Sequence, residues 1–220
     1  MTRKIKITIA SILFFIVVVA DVCAVVVQNK TMEMIFKPLL MITLAIVYLT
    51  SVKKTNKWLI FGLSFSFLGD VFLLDQENYF VFGIACFLVT HVFYIKVIFD
   101  FLKVKSFVKI FFSTLPFLAL YLITVSVVYD NLKEMLVPVV EYGLVVCVFG
   151  GVTLFYYQQA KTKSSLFLLI SAVLLGFSDS FIILNLYDSY SKLLDFFVIL
   201  LYISSQYFVV KGVIAREQSS

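Results

Sequence analysis

The sequence predicts an all-α polytopic membrane protein with eight transmembrane helices, on three observations. Apolar residues make up 62% of its 220 positions and charged residues only 14%, against about 25% charged in ordinary soluble domains. Apolar runs of spanning length, roughly 17–25 residues, recur near 7–27, 35–52, 58–75, 79–99, 106–128, 135–157, 164–186 and 193–213. The period-two alternation of a transmembrane β-barrel is missing, so backbone groups carried into hydrocarbon are to be satisfied within helices. The connections are too short to hold another domain, and residues 1–220 read as a single transmembrane domain.

The first run follows Arg3, Lys4 and Lys6, as a signal peptide would, but it continues apolar through Val25, Val26 and Val27. That length suits a span better than a cleaved leader. Orientation follows the basic residues. The N-terminus, the loops after spans two, four and six and the C-terminal tail hold thirteen of the Lys and Arg residues, and the opposite side holds four, Lys30, Lys37, Lys133 and Lys192. The positive-inside rule then puts both termini in the cytoplasm, and a bacterial inner membrane is the expected location. The formal net charge of +5 is explained by this topology, and no nucleic-acid partner is expected. Spans three and seven each carry an aspartate after a small residue, Gly69-Asp70 and Ser178-Asp179, with a tyrosine about 23 residues further on, Tyr94 and Tyr202. This hints at a 4+4 parallel repeat, a plan that places sites between halves.

Ionisable groups within spans cost on the order of 2.5–3.5 kcal/mol each, so each is a functional candidate by default. Here they are Asp21, Lys37, Asp70, His91, Glu141 and Asp179. At about 1.5 Å per residue, Asp70 lies roughly 8 Å and Asp179 roughly 10 Å below the outer ends of their spans. Asp21, Lys37 and Glu141 fall in outer halves too, and one outward-opening polar cavity would satisfy all five charges. Gly62, Ser66, Gly69 and Asp70 share a face of span three, and Ala172, Gly176 and Asp179 a face of span seven. Span four brings Thr90, His91 and Tyr94 together, and span eight Asp195, Tyr202 and Gln206. Asn185 lies seven residues from Ser178.

Plainer readings stand beside these. The aspartates could serve only as interhelical hydrogen-bond acceptors, Lys37 beside Pro38 could snorkel from a helix start, and Asp21 and Glu141 could be interfacial. His91, Tyr202 and Gln206 could be packing glue, and Gly150-Gly151 marks close approach or a kink. Cys23, Cys86 and Cys147 lie in apolar runs without metal-ligand spacing and read as small hydrophobes. No GxGxxG, GxxxxGK[ST], GxSxG or HExxH occurs, and a single histidine excludes a three-His zinc site.

The ordered set of motifs resembles the YhhN family of lysoplasmalogenase-like membrane proteins. The resemblance rests on Phe65-Ser66-Phe67-Leu68-Gly69-Asp70 with its apolar sequel and on Gly176-Phe177-Ser178-Asp179 running to Asn185. It extends to Phe36-Lys37-Pro38, Thr90-His91-Val92-Phe93-Tyr94, Glu141-Tyr142, and Tyr202 with Gln206. Ser180, Ile183 and Asp21 depart from the family pattern. The resemblance implies an eight-span fold, hydrolysis of the vinyl-ether bond of lysoplasmalogens to a fatty aldehyde and a glycerophospho-headgroup, and Asp70 and Asp179 as the catalytic pair. The substrate would be a lysophospholipid taken from the bilayer.

Vinyl-ether hydrolysis begins with proton transfer to carbon and passes through an oxocarbenium ion that water captures. One protonated and one ionised carboxylate suit it without a cofactor or metal. Lys37 would then meet the phosphodiester, His91 and Tyr94 a water or proton, and Tyr202 and Gln206 the glycerol hydroxyls. Two other classes fit the same residues: a metal-dependent hydrolase using Asp70, Asp179, Glu141 and His91 as ligands, and a non-enzymatic lipid or small-solute transporter.

Overall fold

The structure, a computed structural model, describes residues 2–219. It consists of α1 (Arg3–Val27), α2 (Lys30–Ser51), α3 (Lys57–Phe72), α4 (Gln76–Phe101), α5 (Phe107–Leu132), α6 (Leu136–Ala160), α7 (Lys163–Tyr187) and α8 (Lys192–Gln218). No strand occurs among the described residues. Most helix starts are set by short polar side chains that accept from otherwise unpaired first-turn amides. Asn29 accepts from Met32, Asn56 from Trp58 and Leu59, Ser106 from Lys109, and Ser191 from Leu193. Thr162 and Ser165 cap α7 reciprocally. Gln28 and Lys161 end α1 and α6 in the left-handed region, with φ of 55° and 48°.

Two helix ends lack such a break. Short 3-10 turns at Leu73–Asp75 and Lys133–Met135 carry α3 directly into α4 and α5 into α6. The eight helices therefore form six uninterrupted helical stretches long and apolar enough to cross a membrane, two of them of 45 and 54 residues. The helices lie close to the expected runs, with two shifts that matter. Helix α2 begins at Lys30 instead of near 35, so Lys37 stands two turns inside the helix and not at its start. Helix α8 runs on to Gln218, five residues past the expected end.

Consecutive helices pack as pairs, α1 on α2, α3 on α4, α5 on α6 and α7 on α8; α4 on α6, α2 on α3, α6 on α7, α5 on α7 and α8 on α1 and α2 complete the bundle. The main core gathers Phe14, Leu40, Leu44, Leu59, Phe149, Leu168 and Val210. A smaller, separate core of Val125, Val128, Leu132, Val139 and Ile183 joins α5, α6 and α7 at one end. Large apolar side chains such as Ile12, Ile16, Val19, Phe111, Phe112 and Ile123 are exposed along the outer faces. So much uncovered apolar surface is at home in lipid and not in water.

Glycine sets how closely helices approach. A Cβ on Gly62 would lie 2.4 Å from the Tyr94 ring, and one on Gly151 would lie 2.9 Å from the Thr114 Cα. At Gly176 the nearest neighbour would be Leu120 at 3.6 Å, so the expected small-residue contact on α7 is not made there. Gly62→Ala should lower stability by about 1–3 kcal/mol, since Tyr94 is enclosed and overpacked cores relax poorly. Gly176→Ala should leave it unchanged or slightly raised. Thermal unfolding of the two variants in detergent measures the contrast.

Candidate functional site

The α3 face predicted from spacing is the one turned inward. Ser66 is fully buried and Asp70 is 2% exposed. Missing Cβ atoms at Gly62 and Gly69 let the α4 rings of Tyr94 and Phe87 lie against this face. Asp70 Oδ2 accepts a hydrogen bond from the Tyr202 hydroxyl at 3.1 Å, and that hydroxyl also lies 2.9 Å from Ser66 Oγ. The second aspartate repeats the arrangement with a different helix. Asp179 Oδ2 accepts from the Tyr142 hydroxyl of α6 at 3.0 Å.

Both aspartates open onto one cavity of about 580 Å³. Lys37, Tyr142, Asn185 and Tyr202 line it with them, and Phe80, Ile84, Phe87, Ile182 and Ile199 give it an apolar wall. Lys30, Glu33, Gln76 and Tyr190 surround its mouth, at the bundle end that carries the α1–α2, α3–α4, α5–α6 and α7–α8 connections. A polar chain braces that mouth. Asn185 donates to Asp195 Oδ1 at 2.6 Å and accepts from the Ser191 amide at 2.6 Å. Tyr190 donates to Asp195 Oδ2 at 2.9 Å, and Gln28 donates to the Tyr190 hydroxyl at 3.0 Å. The last bond joins the α7–α8 loop to the end of α1.

The Lys37 ammonium acts electrostatically on both Asp70 and Asp21. Asp21 is fully buried on α1, and neither of its oxygens has a hydrogen-bond partner. Beneath the cavity, Tyr94 donates to Gln206 Oε1 at 2.7 Å. His91 Nδ1 lies 2.6 Å from the Phe87 carbonyl. A carbonyl only accepts, so Nδ1 carries a proton. Nε2 is buried without a partner, and the ring rests against Tyr94, Tyr142 and Phe149.

The structure thus brings Asp70, Asp179, Lys37, Asn185 and Tyr202 to one space and sets His91, Tyr94 and Gln206 directly under it. Glu141 is a correction: it is exposed and does not line the cavity. The buried face of α6 runs through Val139, Gly143, Val146 and Phe149, the half-buried Tyr142 on the same side lines the cavity, and Glu141 lies off that stripe. Asp21 likewise lies behind the wall and not on it, so the five charges expected in one cavity reduce to three. The residue the sequence reading passed over is Tyr142. The three- and four-residue spacing of the buried α6 positions would have singled it out over its acidic neighbour. Among the described residues, no three His, Cys, Asp or Glu side chains converge as metal ligands, and the four named for a metal-dependent reaction do not meet.

These features define an all-helical integral membrane protein whose apolar cavity holds a pair of tyrosine-bonded carboxylates. The family model of the YhhN family matches residues 32–213, and the chain belongs to that family. Helix α1, with Asp21, precedes the matched region. No curated protein and no solved structure matches the chain.

Removing the Tyr142 hydroxyl takes from Asp179 the side-chain bond that ties α6 to α7, so Tyr142→Phe should cost about 1 kcal/mol. Glu141→Gln, on the exposed face, should stay within about 0.5 kcal/mol. Denaturation midpoints of the two adjacent variants test which side of α6 faces the cavity.

Proposed function

We propose that this protein is a membrane-embedded hydrolase that cleaves the vinyl-ether bond of lysoplasmalogens, such as lysoplasmenylethanolamine or its choline counterpart. The products are a fatty aldehyde and a glycerophospho-headgroup. The observation that carries the reading is that Asp70 and Asp179, from α3 and α7, line the same cavity, each accepting a bond from a tyrosine hydroxyl. Membership of the YhhN family is consistent with it.

In this reading, one aspartic acid gives its proton to the β-carbon of the vinyl ether, and the π electrons of the double bond form the new C–H bond. The α-carbon becomes an oxocarbenium ion, which the ionised aspartate stabilises electrostatically. Water adds to that carbon and loses a proton to a carboxylate. The hemiacetal then collapses: the C–O bond to glycerol breaks, the aldehyde forms, and the glycerol oxygen takes up a proton. Tyr142 and Tyr202 hold the two carboxylates in place, which is the positioning that such proton transfer demands. Lys37 faces the phosphodiester and Asn185 orders the mouth through Asp195. The alkenyl chain lies along Phe80, Ile84 and Ile182. His91, Tyr94 and Gln206 support the floor without touching substrate.

The same proposal takes all eight helices as spans, with both termini on the cytoplasmic side of a bacterial inner membrane and the cavity opening outward. A 4+4 parallel repeat is part of it. In its support, the contacts α1–α2, α3–α4, α2–α3 and α4–α6 have counterparts in α5–α6, α7–α8, α6–α7 and α8–α2. The tyrosines depart from that symmetry, since Asp179 pairs with α6 where the repeat would give it Tyr94 of α4.

Incubated with lysoplasmenylethanolamine, the detergent-purified protein should release fatty aldehyde detectable by mass spectrometry and leave the ester lysophosphatidylethanolamine intact. Asp70→Asn and Asp179→Asn should each lower that release by about 100-fold or more. Full activity in a normally folded variant of either kind would refute the assignment. Flux of unaltered lipid across vesicles without aldehyde would support transport in its place.

A further inference from the structure

The opposite end of the bundle contains a second cavity, of about 960 Å³, that shares no residue with the first. Arg3 at the N-terminus, the α2–α3 loop with the start of α3, and the end of α8 make most of its wall, with Phe101 at the end of α4. The first three segments are tied to one another. Arg3 donates to the Ser51 and Thr50 carbonyls at 2.7 and 3.3 Å, and Gln218 donates to Ser51 at 3.2 Å. The buried Tyr48 hydroxyl accepts from the Asn56 amide at 2.7 Å and donates to the Glu217 carboxylate at 2.8 Å. Five basic residues, Arg3, Lys53, Lys54, Lys57 and Arg216, line this space, and its one carboxylate, Glu217, is the one that Tyr48 holds.

A comparison within the molecule shows what such a loop can grasp. The α4–α5 loop bends at residues 103 and 104, as the α2–α3 loop does at 53 and 54, between helices of the same bundle end. In the α4–α5 loop, the adjacent amides of Lys103 and Val104 converge on a single oxygen, Gln159 Oε1, at 3.1 and 3.2 Å, and Gln159 returns a bond to the Val104 carbonyl at 2.8 Å. Among the described residues, no acceptor is bonded to the corresponding amides of Lys53 and Lys54. Successive amides that converge in this way form an anion-binding nest. Topology alone would ask only for Lys and Arg somewhere on this end. It would not bring five of them from three segments to one cavity beside two adjacent amides without a bonded acceptor.

We infer that this second cavity binds a phosphate-bearing anion, its oxygens held by the Lys53 and Lys54 amides and its charge balanced by the surrounding basic side chains. Basic pockets between transmembrane helices take phosphate headgroups in this way. Part of the pocket, Arg3 and the segment from Arg216 to Gln218, lies outside the residues matched by the family. The inference uses none of the aspartate cavity and is independent of the proposed reaction.

Trp58 is the single tryptophan of the chain, lines this pocket and is 40% exposed, so the protein's tryptophan emission comes from this pocket's edge. The purified protein is titrated with inorganic phosphate in detergent, and separately compared in nanodiscs of phosphatidylglycerol and of phosphatidylcholine. A saturable change with phosphate assigns a free phosphate compound, and a change confined to phosphatidylglycerol assigns a lipid headgroup; either supports the inference. Lys53→Gln/Lys54→Gln, both exposed positions, should weaken the response about fivefold per lysine removed. Lys103→Gln/Lys105→Gln removes as many charges beside the loop that Gln159 fills and should leave it unchanged. No response to any probe, or equal weakening in both double variants, would overturn the inference.

Discussion

A carboxylate carried into the interior of a membrane protein must find donors there, because neither lipid nor aliphatic side chains offer any. Asp70 and Asp179 meet this demand with one tyrosine hydroxyl each, and much of the bundle follows from that pair of bonds. The first ties α3 to α8, which are far apart in sequence, and the second ties α7 to α6. For the tyrosines to reach, the helices must come close without filling the space between them. Glycines at 62 and 69 make room on α3 for the rings of α4, while the two hydrophobic cores stay separate around the opening. The cavity is the gap that remains when two acidic helices are held by hydroxyls and not by each other.

Two buried polar groups have no such answer. Asp21 keeps both oxygens, and His91 keeps Nε2, without a hydrogen bond. They differ in surroundings. Asp21 has the charge of Lys37 acting on it, and the same ammonium acts on Asp70, so one cation on α2 is shared between a cavity carboxylate and one behind the wall. His91 packs against three rings, including that of Tyr142, whose hydroxyl holds Asp179. A ring fixed by Nδ1 against the Phe87 carbonyl packs edge-on against Tyr142.

Hydropathy made the helices legible, because a run of about twenty apolar residues admits few other readings. The aspartates were legible for the same reason, as charges standing where charge is costly. What sequence spacing left ambiguous was direction. Glu141 and Tyr142 are neighbours about 100° apart on α6, and only the stripe from Val139 to Phe149 tells which points inward. Charge drew the eye to the wrong one. Gly176 reads like Gly62 in sequence, yet only Gly62 has a ring packed where its side chain would be, since contact depends on the partner helix as much as on the glycine. Lys37 was misplaced relative to its helix because Pro38 resembles a first-turn proline, whereas Asn29 supplies the cap one turn and more upstream.

The floor of the aspartate cavity is sealed. His91, Tyr94 and Gln206 are each 1% exposed and Phe149 is fully buried, and no residue of the lysine-rich end lines the space. A molecule that enters must therefore leave by the door it used, and the two ends of the bundle do not communicate through this space.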